Sequence, residues 1–553
     1  MKKGFLILSV ILWAGLASAG GLDPGLAARL SGLEPSGELS VIVHLRTQAD
    51  LSLFHPENKA GMLAELHRVA EATQPDLLAR FEGRVRNVGR FWIYNGFVCS
   101  AAPEVIKKLA VQPEVNWVCG NEPIHLDAEK PESGGPGVNV LEWNIARIRA
   151  DSVWRNRGYT GTGVVIGTID TGADTSHLAL RGRWRITNGW HDAINGRTDP
   201  YDDNGHGTFV TGIACGRPGG VGDTIGTAPG ALFIAAKGLD SGGGTTYAQL
   251  LDCIQWYAGL VGGGQGPQVL ITPWNLPRTD ITFWQSLRNL EILGVHIASR
   301  DGSSGPGSGT AQPPGNYPFV IGASATDASD NVASFSSRGP APTGFPWDSS
   351  AAWLDPQWGT RTPTNHVKPD LAAPGVNVKS CYTNGQYVTM SGDAWSIPHV
   401  AGAEALVLSK NSNITPAQMW TILTTTCDTV VGGPFPNQNY GWGRLNCLRA
   451  IDATPSGVEA EHTLRSAPGG RGVSIVPNPM RDGCTMSAPW LADEERWSIY
   501  DATGRLVRGG AFCRGRASWD GRDQAGNRVG NGVYFLHFQG RDGVETTKMI
   551  LLR

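Results

Sequence analysis

Three short stretches of this chain carry residue types from which nucleophilic acyl chemistry is built. The apolar run Val164-Val165-Ile166-Gly167-Thr168-Ile169 ends in Asp170-Thr171-Gly172, which sets a carboxyl group at the end of a strand. Asp203-Asn204-Gly205-His206-Gly207-Thr208 then holds an imidazole between two glycines, ahead of a helix-compatible stretch. Far downstream, residues 388–402 read VTMSGDAWSIPHVAG, where Ser391 and Ser396 flank Ala394 and Pro398-His399-Val400-Ala401-Gly402 follows. A lone Asp-Thr-Gly is usually only a turn. At the carboxyl end of a strand in an α/β sheet it stands where chemistry gathers.

The elements that must position these groups form three regions. Residues 138–453 alternate strand-like runs (164–169, 233–237, 268–272, 295–299, 319–323) with helical patterns such as 247–257 and 281–293. That alternation implies a parallel sheet with helices on both faces, and the near-continuous apolar runs suit strands buried on both sides. Before it, residues 20–127 read as a small α+β unit: strand 39–45, helix 62–81, strand 90–99, helix 102–111 and strand 115–119. A polar linker, 128–137, closes this unit. A second linker, 454–470, leads to residues 471–553, where short strand-like runs at 497–500, 533–538 and 548–552 punctuated by Gly-rich turns read as an all-β sandwich.

Composition narrows the function classes. The 553 residues are 41% hydrophobic and 17% charged, with a net charge of −3 and no long basic run, so no nucleic-acid partner is expected. Lys2 and Lys3 precede an apolar run ending at Leu16, and Ala17-Ser18-Ala19 suits signal peptidase, so residues 1–19 read as a signal peptide rather than an anchor. Export permits disulfides among the nine cysteines. Cys99/Cys119, Cys427/Cys447 and Cys484/Cys513 are candidate pairs, and buried free thiols are the alternative. No CxxC pair suggests zinc.

With these motifs in order, the central region resembles the subtilisin-like serine proteases, the subtilase family. Further matches are Gly226-Thr227-Ala228-Pro229-Gly230-Ala231, Ser334-Phe335-Ser336-Ser337-Arg338-Gly339-Pro340 and Lys368-Pro369-Asp370-Leu371-Ala372-Ala373-Pro374-Gly375-Val376. The resemblance implies an α/β, subtilisin-like parallel sheet, preceded by a small α+β (ferredoxin-like) propeptide and followed by the β-sandwich. It assigns Asp170 as the acid that orients imidazole and His206 as the base, although the family's second histidine three residues on is Phe209 here.

The third role fails. Aligning Pro398-His399-Val400 puts Ala394 at the nucleophile position, and a methyl group cannot attack a carbonyl. Ser391 matches a non-catalytic serine of the family, and Ser396 lies two positions along the expected helix, facing elsewhere. Asp301 takes the oxyanion asparagine's position. Ionised, it would repel a developing oxyanion by about 4 kcal/mol at ~4 Å and an effective dielectric of ~20; protonated, it could still donate. The strand bordering the family's substrate cleft reads Thr272-Pro273-Trp274-Asn275, where Pro273 lacks the N–H that an added peptide strand would use. Asp393 suits a helix start, and Asp301 or Asp393 would favour a protonated His206.

These departures describe a pseudoprotease that binds a peptide or protein ligand or acts as a surface scaffold. The alternative is an active endopeptidase using an unexpected hydroxyl. By resemblance the first region is a propeptide whose end occupies the cleft and which an inactive site would leave uncut. The last region resembles type IX (Por) secretion sorting modules through Pro477-Asn478-Pro479, Ile499-Tyr500-Asp501-Ala502-Thr503-Gly504-Arg505, Trp519-Asp520-Gly521-Arg522-Asp523 and Gly532-Val533-Tyr534-Phe535, which implies contact with secretion machinery or the cell surface. No cofactor is expected. Structural calcium, at turns such as Asp520–Asp523, has no identifiable ligand set.

Overall fold

The structure is a computed structural model that describes residues 21–34, 36–127, 131–133, 141–217, 224–344, 346–347, 354–355, 359–360, 366–429, 432–456, 474–476, 480, 483–487, 495–501, 505–540 and 543–551. The expected signal peptide, most of both linkers and Pro477-Asn478-Pro479 lie outside the described residues. The chain divides into two compact units, residues 1–457 and 458–553.

Seven parallel strands build the central sheet, in the order Leu371–Pro374, Ile321–Thr326, His296–Arg300, Val269–Thr272, Val165–Asp170, Leu232–Lys237 and Trp190–Asp192. The apolar runs are continuous because both faces are covered. Alternation along the strands sends Ile166, Ile271, Ala298 and Ala323 into a core shared with the helices His206–Cys215 and Ser396–Lys410. Ile169, Ile234, Leu270 and Ile297 enter a second core with the helices Tyr247–Gly262 and Trp284–Ile292. Asp170, Thr272 and Arg300 therefore sit at the carboxyl ends of three successive strands.

The first domain is a four-stranded antiparallel sheet ordered Val85–Phe91, Gly96–Ala101, Leu39–Leu45 and Val115–Gly120, with helices Pro24–Gly32, Lys59–Ala79 and Pro103–Ala110. The single strand read at 90–99 is instead a hairpin. Asn95 turns it with φ 47, and the Asn95-Gly96 dipeptide was the available signal. The sheet has two apolar faces. Val41, Val43, Phe97 and Val118 face the domain's own core, whereas Ile42, Phe91, Ile93 and Tyr94 join the second core of the central domain. Polar contacts fix this docking. Ala248 N–H donates to Asn121 Oδ1 (2.9 Å) and Tyr247 N–H to the Glu122 carbonyl (3.2 Å), so the first domain satisfies orphan donors at the start of the Tyr247–Gly262 helix.

The C-terminal unit has two antiparallel sheets around one core. One contains Ser474–Val476, Cys484–Ser487 and Arg516–Trp519; the other contains Leu506–Ala511, Arg496–Asp501, Gly532–Gly540 and Gly543–Leu551. Met486 and Trp519 from the first meet Trp497, Ile499, Leu536 and Phe538 from the second. None of the candidate disulfides is formed: all nine cysteines are free, eight of them buried and Cys513 exposed. Cys99 is paired with Val41 and Cys119 with the next residue, Ile42, so their side chains leave opposite faces of the sheet and cannot be bridged.

Candidate functional site

The strand Val165–Asp170 delivers a fully buried carboxyl group to its carboxyl end, and the helix His206–Cys215 begins on the imidazole that meets it. His206 Nδ1 donates to Asp170 Oδ1 at 2.8 Å and Oδ2 at 2.9 Å. A carboxylate accepts, so Nδ1 carries the hydrogen and the basic lone pair falls on Nε2. The glycines around His206 permit this approach. Gly205 has φ 109, and a Cβ on Gly207 would lie 2.1 Å from the Gly172 carbonyl. Beneath the pair, Thr171 Oγ1 donates to Asp202 Oδ1 (2.9 Å) and accepts from Gly207 N–H (2.9 Å). Buried Lys237 donates to the Thr171 carbonyl and to Asp203 Oδ1, both at 2.6 Å. Lys237 was missed in the sequence, where it closes an apolar strand like any terminal lysine.

Ala394 is buried in the turn Asp393–Trp395. The indole of Trp395, its neighbour, lies tilted against the imidazole, 4.8 Å from the His206 ring and 4.4 Å from Phe209. The two nearby serines are engaged elsewhere. Exposed Ser391 Oγ accepts from Asn377 N–H (2.9 Å), and buried Ser396 Oγ donates to the Asp393 carbonyl (2.7 Å). His399 of the downstream motif is structural: its Nδ1 lies 2.8 Å from the Trp395 carbonyl, its Nε2 lies 2.8 Å from Asn144 Nδ2, and burial pulls its pKa down to about 4.

Asp301 follows the strand His296–Arg300, and its carboxyl group turns into the protein. Its Oδ1 packs against Gly315 and Gly322, where an added Cβ would come within 2.7 and 2.8 Å, and neither oxygen is hydrogen-bonded among the described residues. Burial pushes its pKa well above the carboxylate range, and the charged groups acting on it are Lys368, Asp393 and Asp370. Burial and the lack of a hydrogen bond on either oxygen among the described residues disfavour the ionised form on which the expected repulsion depends. Asp393 does not cap its own helix. Its Oδ1 accepts from Ser336 Oγ (2.5 Å) and its Oδ2 from Gly302 N–H (3.0 Å), and burial raises its pKa to about 6. The carboxylate bonded to His206 is that of Asp170, not Asp301 or Asp393.

Asp127 ends the described part of the first domain's tail. Residues Pro123–His125 pair antiparallel with Gly244–Thr246, and Leu126 N–H donates to the Gly243 carbonyl (2.9 Å). Arg300, 1% exposed, donates through Nη2 to Asp127 Oδ2 and to Ser303 Oγ. Burial pushes the Asp127 pKa up, but the charge and hydrogen bond of Arg300, followed by Ser303 and then His206, bring it below its ordinary value. Past 128–130, Glu132 and Ser133 pair antiparallel with Thr389 and Val388 of the strand that leads to Ala394. The expected cleft strand differs from this. Thr272, Pro273 and Trp274 are buried, Trp274 packs on Phe283 at 5.2 Å, and Asn275 Nδ2 donates to Gln312 Oε1 (2.9 Å). The tail's strand pairing is with Gly244–Thr246 rather than with Thr272–Asn275, because Pro273 has no N–H to give and Trp274 belongs to the core.

Among the described residues no group of three or more His, Cys, Asp or Glu side chains could hold a metal ion. In the Asp-rich turn Asp520 Oδ1 accepts from Arg522 N–H and Asp523 Oδ1 from Asn527 N–H. Among the described residues no helix is long and apolar enough to cross a membrane.

Residues 161–443 match the model of the subtilase family. Bacillopeptidase F of Bacillus subtilis (strain 168) is 29% identical over 444 residues, which is 73% of this chain but only 29% of that protein. Subtilisin E of the same strain is 29% identical over 399 residues, 70% of this chain and 89% of its own. An alkaline protease of Alkalihalobacillus alcalophilus is 30% identical over 349 residues, 63% of this chain and 77% of that protein. With a seven-stranded parallel sheet and a paired aspartate and histidine at its carboxyl edge, the chain belongs to the subtilase family.

Proposed function

We propose that this subtilisin-like peptidase homologue is a secreted pseudoprotease whose cleft binds a peptide or protein segment without hydrolysing it. The observation that carries the reading is the buried methyl group of Ala394 next to Trp395, which packs against His206, with Ser391 and Ser396 bonded elsewhere. Loss of the triad nucleophile lowers the rate about 10⁶-fold, a value taken from a subtilisin, or ~8 kcal/mol of transition-state stabilisation. A neutral Asp301 turned toward Gly315 and Gly322 adds the loss of an oxyanion donor, worth roughly 2.7–4 kcal/mol.

The intact Asp170–His206 pair favours the second reading, an endopeptidase that uses another hydroxyl. A fluorophosphonate probe and a casein digest separate the two: no labelling and no hydrolysis is expected, and labelling of any serine accompanied by turnover reverses the conclusion. In this reading residues 1–19 direct export and the C-terminal unit serves type IX sorting or surface attachment. Removing residues 471–553 should then abolish delivery to the cell surface or medium, and unchanged delivery would discard the sorting role.

A further inference from the structure

Ligands of an α/β sheet bind beyond the carboxyl ends of its strands. Beyond the neighbouring strands Val269–Thr272 and His296–Arg300 that space is taken by a half-buried side chain of a third segment, Gln312. Its backbone is held from both sides. Gln312 N–H donates to the Asp301 carbonyl at 2.8 Å, and Leu276 N–H donates to the carbonyl of the next residue, Pro313, at 2.9 Å. The side-chain amide is then bonded at both ends. Oε1 accepts from Asn275 Nδ2 at 2.9 Å and from Ser304 Oγ at 3.3 Å, and Nε2 donates to the Leu276 carbonyl at 3.2 Å. Gly302, with φ 108, leaves room for the amide, since a Cβ there would lie 2.2 Å from Oε1. Two donors for a carbonyl oxygen and one acceptor for an amide N–H thus converge on one spot. A carboxylate brings no N–H for Leu276, and an alkyl group satisfies none of the three. The spot adjoins the candidate site, because Gly302 N–H donates to Asp393, the neighbour of Ala394.

We propose that the space between these strand ends is a carboxamide site which the chain fills with its own Gln312, and that the ligand it takes is a glutamine side chain of a bound peptide. This rests on the reading of the cleft as a peptide-binding groove and names the side chain that it selects. Gln312 is tethered, so its effective concentration is on the order of millimolar or above, and a free amide does not displace it. A peptide does so with the help of main-chain pairing along the cleft, which is itself indifferent to sequence. Selection then falls to the amide, because another side chain set against Asn275, Ser304 and the Leu276 carbonyl leaves their hydrogen bonds unmade.

The test uses the full chain carrying Gln312→Gly, which removes the built-in occupant and leaves Asn275, Ser304 and Leu276 in place. Propionamide, the lost side chain as a free molecule, is titrated against thermal unfolding beside butanone and propionate, which match its shape but lack the N–H donors. A ligand of the folded state raises the midpoint with concentration. Propionamide should raise it, with butanone and propionate on the order of tenfold weaker, the worth of about one hydrogen bond. The wild type should not respond, since Gln312 holds the site. Should Gln312→Gly fail to fold, Gln312→Ala with acetamide, acetone and acetate takes its place. An equal response to the ketone overturns the carboxamide selectivity, a wild-type response as large as the variant's overturns the occupancy by Gln312, and no response to the amide overturns the site. Because no peptide takes part, each of these outcomes is separate from the fate of the peptide-binding reading.

Discussion

The strand ends that carry Asp170 and Arg300 stand two strands apart in one sheet, and they handle buried charge differently. Around Asp170 every charge is answered locally: His206, Thr171, Asp202 and Lys237 form a connected network whose members come from adjacent loops and strands. Around Arg300 the answer is imported from another domain as Asp127, while Asp301 and Asp393 are held toward their neutral forms by burial. The first region retains the orientation needed for a base. The second has the buried methyl group of Ala394 where the proposed reading expects a hydroxyl, and its polar groups bond one another and the tail. A catalytic constellation can thus keep its orienting half while the half that meets substrate is rebuilt.

Three experiments press on this contrast, beginning with the largest effect. If only the second region is disabled, Ala394→Ser should raise peptide hydrolysis above the wild-type background. Ala394→Ser/Asp301→Asn should add up to about 10²–10³-fold by restoring an oxyanion donor. A double variant as inert as the wild type would mean that the tail, or the inward turn at position 301, blocks the site as well.

Next is the cost of breaking the connected region. His206→Ala strips a fully buried carboxyl group of its partner and should destabilise the fold by roughly 3–5 kcal/mol in urea unfolding. A loss below about 1 kcal/mol would show that the Asp170 network does not depend on the imidazole.

The smallest effect concerns the neutral acids. Asp393 titrates at about 6 in the folded chain against an ordinary 3.8, so the folded state keeps a proton that the unfolded chain releases. Its stabilising contribution is complete below about pH 4 and is lost as pH rises through 6. The stability of the wild type relative to Asp393→Asn should accordingly fall by roughly 3 kcal/mol between pH 4 and 7. A flat difference would indicate that Ser336 and Gly302 keep Asp393 ionised throughout.

The parts legible in the sequence were those encoded locally. The strand ending in Asp170, the glycine-flanked His206 and the alanine at 394 each follow from a few consecutive residues, and the alternation of elements gave the parallel sheet. Asn95-Gly96 was also legible as a turn, and it explains why one apparent strand is a hairpin. Arg300 sat unremarked beside Asp301, because its partner Asp127 lies 173 residues away in the chain. Cys99 and Cys119 looked bridgeable from spacing alone, but strand register puts them on opposite faces.

By itself, then, the sequence determined the subtilase sheet and the placing of Asp170, His206 and Ala394 in their motifs, since backbone periodicity and side-chain identity suffice for these. Tertiary structure alone decided that Asp301 is buried and turned toward Gly315 and Gly322, that Trp395 packs against His206, and that Asp127 reaches Arg300. Those outcomes depend on desolvation and on partners distant in the chain, and neither quantity is defined until the chain has folded.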